Sequence, residues 1–160
     1  MSTAEALPAR SRIVQEHLTA AGVDTTVVVL PASARTAAEA ATAVGCPVGA
    51  IANSLVLVAD DVPILVMTSG AHRVDFSVLA LSIGAASVAM APATLVREAT
   101  GQAIGGVAPV GHPQRLRTYL DEDLRAYEQI WTAGGTPHTV MPLTFTQLEK
   151  LTGGSAIRVA

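Results

Sequence analysis

Two apolar segments joined by a pair of aspartates limit the folds open to this chain more than any other feature. Residues 54–59 and 62–68 are dominated by consecutive apolar side chains, and only Asp60 and Asp61 separate them. This spacing predicts a β-hairpin, which excludes a purely parallel, doubly wound sheet. The unbroken apolar runs predict that both faces of the hairpin are covered. Pro63 predicts that the second strand begins near a sheet edge, because proline lacks a backbone donor.

Helical and strand patterns surround this hairpin in the sequence. Thr36 with Glu39, and Thr144 with Gln147, have the spacing of a capping box, in which two residues at a helix start satisfy each other's backbone donors. We predict helices over residues 7–21, 36–44, 75–81, 91–99 and 144–151. We predict strands over residues 25–30, 87–90, 116–120, 129–133 and 139–143, with a last strand or frayed tail over 157–159. The irregular alternation predicts a mixed α/β class, with helices packed around a mixed sheet.

Length and composition narrow the class of protein. A chain of 160 residues suits one well-buried core, so we predict a single domain over residues 1–160. Ten basic and 13 acidic side chains give a formal net charge of −3, which excludes a general nucleic-acid binder, so any contact with RNA is local. The apolar runs end well short of the about 20 residues that a membrane span requires. A single cysteine, Cys46, and the lack of a secretory signal pattern predict a cytoplasmic protein.

One loop is the main candidate for ligand binding. Residues 105–112 hold three glycines, a proline and a histidine, a composition that suits neither a helix nor a strand. Glycine lets a ligand approach backbone N–H groups, so the loop either turns the chain or forms a pocket wall. Four scattered histidines and one cysteine offer no metal-ligand spacing, and the sequence has neither a P-loop nor a GxSxG elbow. We therefore expect no metal and no cofactor.

Other small and polar positions join this loop as candidates for a pocket. Asn53 and Ser54 lie at the start of the hairpin, and residues 134–138 form a second glycine-containing loop. Loops and strand ends from distant parts of a chain commonly meet at a binding site, although turns with a purely structural role remain the alternative. His112 and His138 each lie beside a proline in these loops. His72 precedes a capped helix, and we expect it to be solvated.

Short glycine, proline and aspartate motifs follow one another in order along the chain. They are Ser69-Gly70, Arg73-Val74-Asp75, Ala91-Pro92, Thr100-Gly101, residues 105–112 and Ala133-Gly134-Gly135. This series resembles the YbaK and prolyl-tRNA-synthetase-associated editing domain, over about residues 36–151. The resemblance implies a mixed α/β fold with a curved, mostly antiparallel sheet, and hydrolysis of aminoacyl-tRNA that carries the wrong amino acid. Editing of this kind is needed because a synthetase pocket rejects a near-isosteric amino acid by only about 10–200-fold.

The resemblance also assigns roles to residues. Residues 105–109 are similar to the loop whose backbone holds the aminoacyl carbonyl and the terminal adenosine, where N–H donors would stabilise an oxyanion. Water, assisted by the ribose hydroxyl of the substrate, would attack the ester, so no protein triad is required. We assign Asn53, Gly106 and His138 as catalytic. The predicted substrate contacts are Thr36, Ser54, Gly105, Val107, Pro109, Gly111, His112, Gly134 and Gly135.

One position departs from the family pattern and leaves two functions open. The family usually carries a lysine where this chain has Asn53, so a neutral amide replaces a charge. The leading hypothesis is a free-standing aminoacyl-tRNA deacylase that contacts the acceptor end of tRNA. The alternative is a non-catalytic module that binds aminoacyl-tRNA or aminoacyl-adenosine. No feature supports a third possibility, a regulatory partner protein, and we expect neither membrane nor DNA as a partner; a monomer and a homodimer both remain open.

Overall fold

The computed structural model describes residues 7–160, in which five α-helices alternate with eight β-strands. The helices are α1 (Ala9–Ala20), α2 (Ala37–Val44), α3 (Phe76–Ile83), α4 (Ala93–Thr100) and α5 (Phe145–Thr152). The strands are β1 (Val28–Val29), β2 (Ala52–Ala59), β3 (Val62–Ser69), β4 (Val88–Met90), β5 (Arg117–Asp121), β6 (Ile130–Ala133), β7 (Thr139–Leu143) and β8 (Ser155–Ile157). Short 3₁₀ turns span Val48–Ala50 and Glu122–Ala126. The predicted mixed α/β class is confirmed.

The strands form two sheets that meet at one point. The larger sheet has the order β4-β2-β3-β5-β8, and the smaller one has the order β1-β7-β6. Pairing is antiparallel between β2 and β3, β2 and β4, β1 and β7, and β6 and β7, and parallel between β3 and β5 and between β5 and β8. A single parallel bridge between Ile51 and Trp131 links the sheets. The pairing is therefore mostly antiparallel, as predicted.

The predicted hairpin forms the centre of the larger sheet. Asp60 and Asp61 both have positive φ, 48° and 69°, as a two-residue turn between antiparallel strands requires. Strand β3 lies between β2 and β5, yet pairing with β5 begins only at Ile64. Pro63 therefore has a strand on one side only, which confirms that β3 begins at a local edge.

Apolar side chains cover both faces of the larger sheet, as the sequence predicts. Val56 and Leu65 belong to the main core with α1 and α5, whereas Leu57 and Val66 pack with Leu79 of α3 on the other face. Alternate residues of one strand thus enter different clusters, because successive side chains point to opposite faces. Within the described part of the chain, no helix is long and apolar enough to cross a membrane.

The helix starts follow the capping patterns of the sequence. Thr36 Oγ1 accepts a hydrogen bond from the Glu39 N–H at 3.1 Å, and the Glu39 carboxylate accepts one from the Thr36 N–H at 3.2 Å. Thr144 and Gln147 form the second capping box, and the Asp75 carboxylate accepts from two N–H groups of α3. These contacts satisfy donors that a helix start leaves free.

Two predicted strands differ from the observed ones. The strand predicted over residues 25–30 is limited to Val28–Val29, because the Gln15 side chain of α1 binds the Thr25 carbonyl and the Val27 N–H. The last strand lies at Ser155–Ile157, two residues earlier than predicted. Beyond it, the Val159 carbonyl accepts a hydrogen bond from the Asp75 N–H, so this residue fastens the start of α3 instead of extending a sheet.

Candidate functional site

A narrow cavity of about 40 Å³ lies where β2 of the larger sheet separates from β6 of the smaller one. Four segments enclose it: the start of α2, the start of β2, the 105–107 part of the glycine-rich loop, and β6 with β7. Predicted site residues that line it are Thr36, Asn53, Ser54, Gly105 and Val107. The sequence prediction missed three polar or charged lining residues, Arg35, Thr132 and Thr139. It also missed apolar lining residues, which include Ala37, Ile51, Trp131, Ala133 and Val140.

Strand pairing directs backbone groups toward this cavity. The Val56 carbonyl accepts a hydrogen bond from the Ala91 N–H, on the side away from β3. Because backbone groups alternate in direction along a strand, those of Ser54 also point away from β3, toward β6. On β6, the Gly134 N–H donates to Thr139 of the β7 strand, so the groups of Ala133 point toward β2. Backbone donors and acceptors of both strands therefore face the gap that holds the cavity.

The glycine-rich loop contributes a buried residue, Val107, to the lining of the same cavity. Val107 is only 4% exposed, and its N–H has no hydrogen-bond partner among residues 7–160. The neighbouring Gly106 N–H donates to the Ala103 carbonyl at 3.0 Å. A buried N–H without a partner is uncommon, since such groups are nearly always satisfied in folded proteins. Gly105 and Val107 are the loop residues that line the cavity, and neither N–H has a partner in the described structure; that of the more buried Val107 is the candidate donor to a ligand.

Gly106 is required for close packing and not for a special backbone conformation. A β-carbon built on Gly106 would lie 2.6 Å from Thr136 Cα and 2.7 Å from the Pro137 nitrogen, which no real β-carbon tolerates. Gly105 is different, because its φ of +91° belongs to the region that glycine favours, and the aliphatic stem of Arg35 packs on it. Together the two glycines bring the 105–107 segment against the 134–138 loop.

A residue outside the motif series, Gln102, holds the loop in shape. Its side chain is 2% exposed; Oε1 accepts a hydrogen bond from the Ala108 N–H at 2.7 Å, and Nε2 donates to the Val110 carbonyl at 3.2 Å. The Gln102 N–H in turn donates to Thr100 Oγ1 at 3.0 Å. Sequence reasoning missed this residue, whose one local signal is its place directly after Thr100-Gly101.

Several predicted site residues lie away from the cavity. Pro109, Gly111 and His112 line a separate groove on the far side of the loop. Gly134 and Gly135 are buried turn residues that pack against Val27 and α1, and neither lines the cavity. His138 is exposed; its N–H donates to Thr136 Oγ1 and its carbonyl accepts from the Leu30 N–H, while its ring is outside the cavity lining.

His112 has a structural contact of its own. Its Nε2 lies 2.8 Å from the Ala108 carbonyl oxygen, so that nitrogen carries the proton and donates. Burial lowers the pKa of His112 below the ordinary value of 6.5, the hydrogen bond to Ala108 opposes this shift, and His17 adds a small lowering effect. The neutral ring therefore fixes the end of the glycine-rich loop.

The side chains at the cavity offer little acid–base chemistry. Arg35 is the one charged side chain among the lining residues, and no carboxylate lies within salt-bridge distance of it in the described structure. The Thr36 hydroxyl is engaged with Glu39, and the Ser54 hydroxyl donates to Met67 Sδ at 3.1 Å. Among residues 7–160, no histidine, cysteine or carboxylate lines the cavity. The groups that the cavity offers to a ligand are thus mainly backbone N–H and C=O groups and one guanidinium.

His72 is half-buried, which makes the expectation of a solvated side chain wrong. Its Nδ1 lies 2.8 Å from Asp121 Oδ2 and its Nε2 lies 2.9 Å from Asp123 Oδ2. The buried Asp121 carboxylate also accepts from the Ser69 N–H. These three residues are the one cluster of metal-ligand type found in residues 7–160, but each ring nitrogen already contacts a carboxylate. The cluster joins the end of β3 to the end of β5, and the expected lack of a metal stays a prediction.

Two solved structures share the fold of this chain over almost their whole length, and one further protein is similar in sequence. The chain is 43% identical in sequence to a candidate trans-editing enzyme for prolyl tRNA synthetase whose crystal structure is known. The two structures superpose with a TM-score of 0.89, and the match covers 97% of this chain and all of that chain. The hypothetical protein APE2540 is 25% identical, with a TM-score of 0.82 over 91% of this chain and 98% of that one. The uncharacterized protein YwhH of Bacillus subtilis strain 168 is 28% identical over 138 residues, 86% of this chain and 87% of its own length.

A family model matches the part of the chain that contains the cavity. The model of the aminoacyl-tRNA editing domain aligns with residues 31–151, close to the range of about 36–151 expected from the motif series. The matched range includes α2, the hairpin, the glycine-rich loop and β6 with β7. The predicted family and editing-domain fold are confirmed, and the chain belongs to the aminoacyl-tRNA editing domain family.

Proposed function

We propose that this chain is a free-standing deacylase that hydrolyses the ester bond of mischarged tRNA, in the manner suggested by its similarity to a candidate trans-editing enzyme for prolyl tRNA synthetase. The observation that carries the proposal is the N–H of Val107, which has no partner among the described residues and belongs to a buried residue that lines a cavity between two strand edges. A preorganised backbone donor of this kind stabilises the oxyanion that forms when an ester carbonyl is attacked. We further propose that residues 1–160 act as one domain, without a metal or cofactor.

The proposed reaction needs no nucleophile from the protein. Water attacks the aminoacyl carbonyl carbon, and the carbonyl oxygen becomes an oxyanion that accepts a hydrogen bond from the Val107 N–H. Collapse of this intermediate breaks the bond to the ribose oxygen, which takes a proton, so that the products are the free amino acid and tRNA with an intact terminal ribose. The neighbouring ribose hydroxyl of the substrate assists the water, since no side chain that lines the cavity is a general base.

The strand edges suit the rest of the aminoacyl group. Ser54 and Ala133 direct backbone donors and acceptors into the gap, and such groups pair with the amino and carbonyl groups of an amino acid as they would with another strand. The volume of about 40 Å³ favours a small aminoacyl side chain, because it holds only a few non-hydrogen atoms. Asn53 at the exposed rim offers a neutral amide to the ribose or carbonyl of the substrate.

Arg35 supplies the positive charge at this cavity. Its stem packs on Gly105, within the loop that holds the ester, and its guanidinium pairs with no carboxylate among the described residues. A guanidinium donates two parallel hydrogen bonds to a phosphate, so Arg35 fits the phosphate of the terminal nucleotide. In this proposal Arg35 provides the positive charge for the phosphate, which the neutral Asn53 does not provide.

A non-catalytic binding module is the second candidate, and the lack of acid–base side chains at the cavity favours it. Deacylation of a panel of mischarged tRNAs separates the two functions. The deacylase hydrolyses at least one member, with a preference for small amino acids, above the uncatalysed rate. A binding module gives saturable binding of a non-hydrolysable aminoacyl-adenosine analogue without turnover. The Asn53→Lys variant then sharpens the comparison, because activity that appears only in this variant supports the binding module.

A further inference from the structure

A continuous groove lined by cations crosses the surface on the far side of the glycine-rich loop. Three adjoining cavities of about 270, 450 and 420 Å³ form it. The first two share His112 and its neighbours, and the last two share Arg115 and Thr118. We call this feature the basic groove; the cationic side chains that line it are Arg10, Arg115, Arg117 and Lys150.

The charge of the groove is opposite to that of the whole chain. The sequence has 13 acidic and 10 basic side chains, yet among residues 7–160 the groove lining contains four of the basic ones and no aspartate or glutamate. In the part of the chain that the structure describes, none of the four lies within salt-bridge distance of a carboxylate. Unneutralised cations gathered in a concave surface attract anions more strongly than the net charge of −3 would suggest.

Separate elements place these cations. Arg115 precedes β5, and its guanidinium donates to the Leu151 carbonyl at 3.3 Å. Arg117 is the first residue of β5, Lys150 belongs to the last turn of α5, and Arg10 to the first turn of α1. The backbone positions of the four cations are therefore set by three separate parts of the fold and not by one segment.

The groove and the candidate active site share one wall. Gly105 and Val107 line the cavity, whereas Pro109, Gly111 and His112 line the groove. Four residues of extended chain span at most about 14 Å, so Pro109 lies within that distance of Gly105. A polynucleotide whose terminal nucleotide lies at the rim of the cavity therefore reaches the groove within a few nucleotides.

We propose that the basic groove binds phosphates of the single-stranded 3′ end of tRNA as it leaves the cavity. The inference rests on the proposed function, which places the terminal nucleotide at the cavity. Arginine and lysine neutralise phosphates without reading the bases, so this contact positions the RNA and carries little sequence preference. Few aromatic side chains are available for base stacking, since aromatics make up 3% of the chain, and the contact is mainly electrostatic.

Binding of uncharged tRNA at a series of salt concentrations tests the proposal without requiring catalysis. For single strands, the logarithm of the binding constant falls with the logarithm of salt concentration by about 0.7 for each phosphate contact. The double variant Arg115→Gln/Lys150→Gln is expected to reduce this slope by about 1.4 and to weaken binding on the order of tenfold at 0.1 M salt. The matched control is Arg73→Gln/Arg158→Gln, which removes the same charge from exposed positions outside the groove.

The results separate this inference from the proposed function. Equal affinity and equal salt slope for the wild type, the groove variant and the control overturn the groove assignment, even if the wild type deacylates tRNA. A smaller salt dependence of tRNA binding in the groove variant, but not in the control, supports the groove assignment, even if no deacylation is found. Because Arg115 also contacts Leu151, the single variant Lys150→Glu and thermal unfolding of each protein distinguish lost binding from lost folding. If an acidic polypeptide displaces bound tRNA as effectively as unlabelled tRNA does, the assignment of the groove to RNA is contradicted.

Discussion

Gly106 packs directly against the backbone of Thr136, and the distance between the two segments leaves no space for a side chain. A β-carbon on Gly106 would lie 2.6 Å from Thr136 Cα. This contact holds the glycine-rich loop against the loop that joins β6 and β7, and so fixes the position of the Val107 N–H relative to both strand edges. The geometry of the site depends on this contact being maintained.

Gly106→Ala is therefore expected to displace the loop and to lower deacylation about a hundredfold, as a shift of about 1 Å in a catalytic donor does. Gly45→Ala is the matched control. Gly45 has a φ of +73° and open space around its α-carbon, so alanine there costs about 1 kcal/mol of folding free energy without touching the site. Steady-state kinetics and thermal unfolding measure the two effects. Full activity in Gly106→Ala would contradict the assigned role of the contact.

Gln102 is expected to act as a positioning residue for the same loop. Gln102→Leu leaves the buried Ala108 N–H without an acceptor, which costs about 1–3 kcal/mol of folding free energy and loosens the loop. Gln114→Leu makes the same chemical change at an exposed position and should be neutral. Urea unfolding gives the free energies, and amide hydrogen exchange reports whether residues 105–110 lose protection. Unchanged exchange in Gln102→Leu would rule out the positioning role.

Arg35 is expected to contribute charge and not shape. Arg35→Gln should reduce kcat/KM for aminoacyl-tRNA about tenfold, since a hydrogen bond to a charged group is worth about 1.5–3 kcal/mol and an exposed one is at the low end. Arg35→Lys should recover part of the loss, and the loss should shrink at high salt because ions screen the contact. Arg73→Gln removes an exposed arginine elsewhere and serves as the control. A loss that is independent of salt and shared by Arg35→Lys would point to packing on Gly105 instead.

The buried His112 is expected to make stability depend on pH. Burial lowers its pKa in the folded state below the ordinary value of 6.5, so between the two pKa values the unfolded chain binds more protons. The resulting stability is fully present above pH of about 6.5 and is lost as pH falls toward the folded-state pKa. Urea unfolding at several pH values between 7.5 and 5 should show a steeper decline for the wild type than for His112→Gln. Parallel curves would remove His112 as the source.

Local sequence patterns predicted the elements that depend on local chemistry. The two aspartates of the hairpin and the capping boxes at Thr36 and Thr144 each act through neighbouring residues, and each was found where expected. The strand predicted over residues 25–30 is longer than the observed β1, because the Gln15 side chain binds the Thr25 carbonyl and the Val27 N–H, a contact that no spacing rule encodes.

The site was predicted less completely, and for a physical reason. The motif series located the glycine-rich loop but not that its two halves line different cavities, since this depends on how the loop crosses the core. Gln102 and His72 act through hydrogen bonds and ion pairs to residues placed by tertiary packing, so their sequence neighbours gave no sign of those roles. Arg35 likewise became a candidate only when its stem was found on Gly105.

The central claim, that this chain hydrolyses mischarged tRNA through backbone groups of the 105–107 loop, is tested most directly by single-turnover deacylation. The wild type and Gly106→Ala would be assayed against tRNAs that carry small, incorrect amino acids, with correctly charged tRNA as the reference. We expect the wild type to release at least one incorrect amino acid well above the spontaneous rate, and Gly106→Ala to lose this activity. Release at the spontaneous rate for every tRNA in the panel would contradict it.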